Sequence, residues 1–389
     1  MRSKWLIHSL RIFWFFFILN HEFLVFWSSA KSCALNSSGK FMLIADPQMT
    51  DDKSYKTNQL FIFLSKFYSD LYMARNYKYL TSFIQPTDIF ITGDLMDNGR
   101  EWQDATFHEL FGSIHKKHYM VGNHDIGFGN GIKLDKQDRF KSYFGNTSYI
   151  LETDTDYSFI VIDTVSLSSD DPQIRESALA VLNSPLPETK RILMTHVPLY
   201  RDSSVSCGPF RQNKDTIIKN QYGYQYQNLV SHELSNLLLS TVQPVAVFSG
   251  DDHDYCKVFH KYNNADQAME ITLPTFSMAQ GMRYPGVVTL DLSDPNALTT
   301  ELCWLPDQIG IFLRYGYLFA ATLITLILFH SFQYTSTTPH FLLSKEEMGM
   351  TSSPFHSNPV KRCIYSFFQS VKDVALTSLP IYILCILLI

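Results

Sequence analysis

The sequence predicts an α/β domain held between membrane segments, and three observations carry that prediction. Short apolar runs alternate with helical stretches from Phe41 to Leu290. Five of those runs end in side chains of the kind that bind metals: Asp46 with Gln48, Asp94 with Asp97, Asn123 with His124, His196 alone, and Asp251 with His253. Apolar stretches stand at residues 12–27 and 309–329, on either side of the alternating region.

The chain has 389 residues, 46% hydrophobic and 14% aromatic, enough to bury a sizeable core. A net charge of −5 with no basic stripe gives no footprint for a nucleic-acid partner. Arg2, Lys4 and Arg11 lead into the first apolar run, which His21 and Glu22 interrupt. Residues 1–30 therefore read as a signal anchor, or as a signal peptide cleaved near Ser28 and Ala30, with the anchor preferred. Residues 309–331 form a transmembrane helix with Arg314 as the only charge. A polar cytosolic loop follows at 332–373, and then an apolar segment at 374–389, broken by Pro380 and short for a span. Basic residues before the first segment and in that loop favour the cytosol, which leaves a luminal domain at 40–305. The sequons at Asn36 and Asn146 agree with that side of the membrane. Cys33, Cys207, Cys256 and Cys303 are then luminal and suited to disulfides whose pairing the sequence does not fix, while Cys363 and Cys385 read as apolar filler.

Within the domain, a first strand at 41–45 ends at Asp46-Pro47-Gln48. A helix at about 57–83 places Leu60, Phe63, Leu64, Phe67 and Leu71 at three- and four-residue spacings, a stripe expected in the core. The stretch IFITGDLMDNGR, residues 89–100, is a buried strand whose tight turn delivers Asp94 and then Asp97. A helix is expected near 101–114. Strands at 119–121, 191–194 and 245–248 lead to Gly122-Asn123-His124-Asp125, to His196, and to Gly250-Asp251-Asp252-His253. A strand at 159–162 reaches Asp163, read as structural, and runs at 269–273 and 287–290 are expected to complete a second sheet. Because ligands collect beyond the carboxyl ends of strands in such sheets, these scattered residues have a physical reason to converge.

The ordered set Asp-x-Gln, Gly-Asp-x-x-Asp, Gly-Asn-His-Asp, His and Asp-x-His resembles the calcineurin-like metallophosphoesterase superfamily over residues 40–291. Two positions depart from its pattern, since Gln48 and Asp251 stand where histidines are usual. Those changes, with Ala45-Asp46-Pro47-Gln48 and Tyr72-Met73-x-Arg75, resemble a membrane-bound branch that removes ethanolamine phosphate from glycosylphosphatidylinositol anchors early in the secretory pathway. The resemblance implies a four-layer α/β/β/α sandwich with flanking transmembrane helices, in the endoplasmic reticulum or Golgi. It implies two divalent metal ions, one held by Asp46, Gln48, Asp94 and His253, the other by Asp94, Asn123, His196 and Asp251. Such a pair, about 3.5 to 4 Å apart, would clamp phosphoryl oxygens and generate hydroxide near neutral pH. His124, oriented by Asp97, would be the general acid. Oxygen donors outnumber nitrogens in this set, which favours manganese over zinc or iron. The implied partners are a glycosylphosphatidylinositol-anchored protein or glycolipid and the membrane itself.

Other residues have plainer readings. Arg100 is either a phosphate contact or a helix-start residue, and Tyr200 and Tyr284 either line the pocket or, the preferred reading, simply pack. Asp252 and Asp254 are candidates to support the ligands, Asp125 to support its loop, and Gly127, Gly129 and Gly131 to form a flexible loop. His108, His115, His118, His232 and His260 are read as structural or surface residues. Two other functions fit the sequence: a luminal hydrolase of nucleotides or other soluble phosphate esters, and a trafficking or binding protein with a decayed site.

Overall fold

The computed structural model of the chain describes residues 2–37, 39–101, 111–112, 115–263, 266–348 and 359–387. It comprises two compact units, residues 26–307, and residues 1–25 together with 308–389. The helix expected near 101–114 and His108 lie mostly or wholly outside the described residues.

The larger unit is a sandwich of two mixed sheets. In chain order its strands are β1 (Phe41–Ile44), β2 (Asp88–Ile91), β3 (Lys116–Tyr119), β4 (Tyr149–Glu152), β5 (Tyr157–Val161), β6 (Lys190–Met194), a ribbon of β7 (Tyr222–Gly223) and β8 (Tyr226–Gln227), β9 (Ala246–Ser249), β10 (Cys256–Tyr262), β11 (Asp266–Thr272), β12 (Gly286–Asp294) and β13 (Ala297–Trp304). One sheet has the order β13-β12-β1-β2-β3, the other β10-β11-β9-β6-β5-β4. The strands that carry the motifs run parallel: β1 with β2, β2 with β3, and β6 with β9. Burial of β1, β5 and β9 on both faces explains why they read as unbroken apolar runs rather than alternations. Phe41, Leu43 and Phe90 of one sheet share a core with Phe159, Met194 and Phe248 of the other. The Phe90 and Phe159 rings lie 4.4 Å apart at its centre.

Three expectations are corrected. The run at 287–290 does not join the second sheet: β12 pairs antiparallel with β1 in the first, Phe41 opposite Leu290. The stripe on the long helix faces outward. That helix, Gln59–Ile84, opens at Asn58, whose side-chain oxygen accepts from the Phe61 N–H, and closes at left-handed Gln85. Its buried face is Ile62, Tyr72, Met73, Tyr77 and Leu80, whereas Leu60 is 66% exposed and Phe63 62%. The helix is apolar on two faces, so its period alone does not say which one points inward. Third, the apolar segment expected at 374–389 is part of a longer helix, Pro359–Leu387, and the preceding helix Gln308–Met348 runs well into the loop expected at 332–373.

Among the described residues, three helices are long and apolar enough to cross a membrane: Lys4–Asn36, which runs from the smaller unit into the larger, and Gln308–Gln333 and Val360–Leu387 in the smaller. The polar groups that interrupt the first are answered from neighbouring turns and helices. His21 Nδ1 lies 2.9 Å from Phe17 O, and Tyr315 donates to Glu22 at 2.8 Å.

Disulfides join Cys33 to Cys303 and Cys207 to Cys256, pairings that no spacing in the sequence announced. Beneath the second sheet's strand ends lies a buried charge cluster. Glu270 accepts from Ser249 Oγ at 2.7 Å and from the Leu199 N–H at 3.1 Å, and meets Arg201 at 2.8 Å and His260 at 2.5 Å. Burial alone would raise the Glu270 carboxyl, but the Arg201 charge, then His260 and Ser249, outweigh it and hold the group at about 2. A carboxyl lowered on folding stabilises above its unfolded value of about 4.3 and loses that contribution as pH falls toward 2. Glu270→Gln is therefore expected to lower stability at pH 7 by about 3 to 5 kcal/mol, since Arg201 is left as an uncompensated buried charge. Thermal melts of both proteins should converge as the pH drops below 4.3; a gap unchanged with pH would contradict the assignment.

Candidate metal centre

All five motif segments lie just beyond the carboxyl ends of β1, β2, β3, β6 and β9. The turns that deliver them use backbone that side chains seldom adopt. Asp46, Gln48, Asp94, Asp251 and His253 all have positive φ, between 37° and 66°. Such conformations persist only where the surroundings enforce them. Here the enforcement is visible, because main-chain bonds join the turns: Gln48 N–H to Asp94 O at 2.9 Å, Asp97 N–H to Met49 O at 3.0 Å, and Gly250 N–H to His196 O at 2.7 Å. Glycines supply the remaining clearance. A Cβ on Gly93 would stand 2.5 Å from His196 Nδ1, and one on Gly122 only 2.1 Å from Asp94 Oδ1.

Asp94 is the hub. It is 1% exposed; its Oδ1 accepts from the His124 N–H at 2.8 Å and lies 3.2 Å from His196 Nε2, while its Oδ2 accepts from Gln48 Nε2 at 2.8 Å. Two groups of donor atoms meet here, Asp46, Asp94 and His253 in one and Asp94, His196 and Asp251 in the other, with all atoms of a group within 4.8 Å of one another. Asn123 joins the second, its Oδ1 3.2 Å from His196 Nε2. Gln48 stands in the first, 3.2 Å from His253, with its amide nitrogen toward Asp94 and His253; ligation requires Oε1 on that side instead. The Asp251 N–H donates to the Asp46 carboxylate at 3.1 Å, stitching the two sheets together at the site.

The arrangement fits cations. His196 Nδ1 donates to Thr92 O at 2.8 Å, which leaves Nε2 facing Asp94 at 3.2 Å, Asn123 at 3.2 Å and Asp251 at 3.6 Å. Oxygens at those distances call for positive charge at Nε2, either a proton on the ring or a cation bound in its place. Electrostatics points the same way. Burial pushes the Asp46 carboxyl well up, aided by the charges of Asp94 and Asp251 and opposed by His196. Burial would also raise Asp94, but His196 and then His124 hold it far below the usual carboxylate range. Burial would lower His196, yet the Asp94 charge and the carboxylates around it raise it well above an ordinary histidine.

His124 lies at the edge of this cluster with its side chain 32% exposed. Its orienting partner differs from the expected one. Nδ1 lies 2.6 Å from the main-chain carbonyl of Asp97, while the Asp97 carboxylate is 3.7 Å away. Nε2 is thereby turned toward Asp94 Oδ2, at 3.9 Å. Asp125 accepts the Leu95, Met96 and Gly122 N–H groups and so joins its loop to the Asp94 turn.

Residues 39–255, more than half of the chain, match the calcineurin-like phosphoesterases. The chain belongs to that family. As a calcineurin-like phosphoesterase it is a metal-dependent enzyme acting on phosphate esters, carried with helices of membrane-spanning length. It is 33% identical over 365 residues to Cell division control protein 1 of Saccharomyces cerevisiae, covering 82% of this chain and 73% of that one. It is 27% identical over 311 residues to Metallophosphoesterase 1 homolog of Caenorhabditis elegans, covering 75% and 83%. With Metallophosphoesterase 1 of Gallus gallus the identity is 27% over 318 residues, covering 72% and 76%.

Several residues of this phosphoesterase have supporting parts. Asp252 pairs with Arg211 at 2.5 Å, and Asp254 accepts the Gln212 and Asn213 N–H groups, so the strap at residues 207–227, tied through Cys207 to Cys256, grips the Asp251–His253 turn. Burial would lower the His124 imidazole, but the Asp94 charge and then Asp97 raise it above an ordinary histidine, against a smaller opposing effect of the Arg100 charge. Tyr200 packs against His232, and His118 and His260 pair with Asp88 and Glu270, as structural readings expect. Sequence reasoning missed Gln225. Its carbonyl accepts from Asn123 Nδ2 at 3.2 Å, while its carboxamide accepts from the Phe128 N–H and donates to Gly131 O. Only its place between Tyr224 and Tyr226 in a turn-like stretch hinted at a fixed position.

Gly93→Ala is expected to displace the His196 ring and weaken divalent metal binding by about 10- to 100-fold, with far-ultraviolet circular dichroism unchanged. Calorimetric titration with manganese checks it, and wild-type affinity in the variant would contradict the packing of His196 on Gly93.

Proposed function

We propose that the chain is a membrane-anchored two-metal phosphodiesterase. It removes ethanolamine phosphate from glycosylphosphatidylinositol anchors on the luminal face of the endoplasmic reticulum or Golgi. The observation that carries this reading is the gathering of six candidate ligand side chains around a seventh, buried Asp94, with the partly exposed His124 imidazole beside them. Asp46, Gln48, Asp94 and His253 would hold one ion, and Asp94, Asn123, His196 and Asp251 the other. When bound, such a pair supplies charge neutralisation for a phosphodiester and an acidified water as nucleophile. Five oxygen donors against two histidines favour a hard ion, manganese ahead of zinc.

The protein's own groups do the rest. The Asp97 carbonyl fixes His124 through Nδ1, so that Nε2 is the nitrogen that hands a proton to the leaving alkoxide. The Asp97 carboxylate, 3.7 Å away, favours the imidazolium needed for that transfer. Main-chain bonds between the turns keep the donors from spreading under their mutual repulsion. The helices on either side keep the domain at a bilayer, where a lipid-borne phosphodiester is found, and residues 1–30 act as an uncleaved anchor. The motif departures at Gln48 and Asp251 support the branch acting on lipid anchors over hydrolases of soluble esters.

His124→Ala is expected to lower kcat on an alkyl phosphodiester by about 10² to 10⁴. It should lose far less on a 4-nitrophenyl ester, whose leaving group needs no proton. Equal losses on both would remove His124 from the role of acid. Anchor glycans from cells lacking the gene should retain additional ethanolamine phosphate; unaltered glycans would exclude this substrate while leaving the phosphodiesterase chemistry in place.

A further inference from the structure

Among the described residues, nothing of the domain covers the outward face of the helix Gln59–Ile84. Leu60, Phe61, Phe63, Leu64 and Phe67 are between 37% and 66% exposed, and the Phe63 and Phe67 rings stack at 6.2 Å. Single exposed apolar residues are ordinary, but five large ones within eight positions make a contiguous patch of the kind that marks an interaction surface. The other half of the same helix is fastened where the chain passes into its membrane-length segments. The Tyr72 hydroxyl donates to Pro306 O at 2.9 Å, two residues before the span Gln308–Gln333. The Tyr72 ring meets Phe26 at 5.9 Å, Arg75 lies over Phe26 at 4.6 Å, and Phe83 meets Trp27 at 5.8 Å, both partners belonging to the segment Lys4–Asn36. Trp27 in turn lies under Lys31 at 4.7 Å, a pair of residue types characteristic of the membrane boundary.

We infer that Leu60, Phe61, Phe63, Leu64 and Phe67 insert into the surface of the bilayer in which the chain is anchored. The occupant is lipid because this patch begins only about 8 Å along the helix from Tyr72, and ends about 18 Å from it, at 1.5 Å per residue. A surface tethered that close to the points of entry and exit has lipid at a higher effective concentration than any soluble partner. Five large side chains give an amphipathic segment enough apolar area to bind an interface already at high local concentration. The loop ahead of the helix leads straight back to the metal centre: Asp51 accepts from Asn98 at 3.3 Å, next to the Asp97 that orients His124. Bilayer contact by the patch therefore sets the rim of the site toward lipid headgroups. That last step rests on the proposed lipid-borne substrate, whereas the insertion itself does not.

The test uses the full chain in phosphatidylcholine nanodiscs, with Cys363→Ser and Cys385→Ser, and an environment-sensitive label at Phe63→Cys or, as a control, at exposed Asp138→Cys. Doxyl groups on the lipid chains should quench the label at position 63 and not at 138, and aqueous iodide should do the reverse. Iodide reaching both positions equally would overturn the inference. So would a label at 63 shielded from both quenchers, which would indicate a protein covering. Leu60→Ser/Phe63→Ser/Leu64→Ser should lose about tenfold or more on a phosphodiester carried in vesicles and stay within about twofold on a soluble one. Equal loss on both overturns the orienting role, and absence of activity in the parent protein would count against the proposed function without touching the quenching result.

Discussion

A carboxylate with no access to water has to be answered by positive charge or hydrogen bonds, and Asp94 imposes that demand on everything around it. It receives the His124 N–H, the Gln48 amide and the approach of His196, and it sits on a left-handed turn with room only because Gly93 and Gly122 lack side chains. Replacing any of these neighbours would leave a buried charge unmatched. Asp46 and Asp251 add to the demand, so the site is built to be completed by cations and not by the protein alone.

The rest of the fold serves to bring that cluster together. Two sheets contribute strand ends from opposite sides, and bonds between them are made at the site itself, Asp251 to Asp46 and His196 to Thr92, as well as away from it, where Tyr149 donates to Tyr119 O. Below, the shared aromatic core of Phe90 and Phe159 fixes the spacing of the sheets, and the Glu270 cluster ties the strands behind His196 and Asp251. The strap held by Cys207 and Cys256 closes one flank, gripping Asp252 and Asp254 near one end and Asn123 through Gln225 at the other. The Cys33 to Cys303 link joins the first and last parts of the domain, beside the places where it continues into membrane-length helices.

Much of the site was legible because its chemistry lies in short, local words. Gly-Asp and Gly-Asn-His-Asp name both the turn and the donor, and the order of strand ends along the chain implied their convergence. What stayed hidden depends on distant partners. The long helix is apolar on two faces, and only packing shows that Tyr72 and Met73 face the core while Phe63 does not. β4, β10 and β13 escaped notice because each pairs antiparallel at or near an edge and is only partly buried, so none forms a continuous apolar run. The orienting group of His124 is a main-chain carbonyl, which no side-chain pattern encodes.

Everything in the proposed chemistry depends on two cations sharing Asp94. Electron paramagnetic resonance of the full chain loaded with manganese tests it most directly. A shared Asp94 gives the spectrum of an exchange-coupled pair at two ions per chain, collapsing to an isolated ion or none in Asp94→Asn. A single uncoupled manganese in the wild-type protein, unaffected by that substitution, would contradict it.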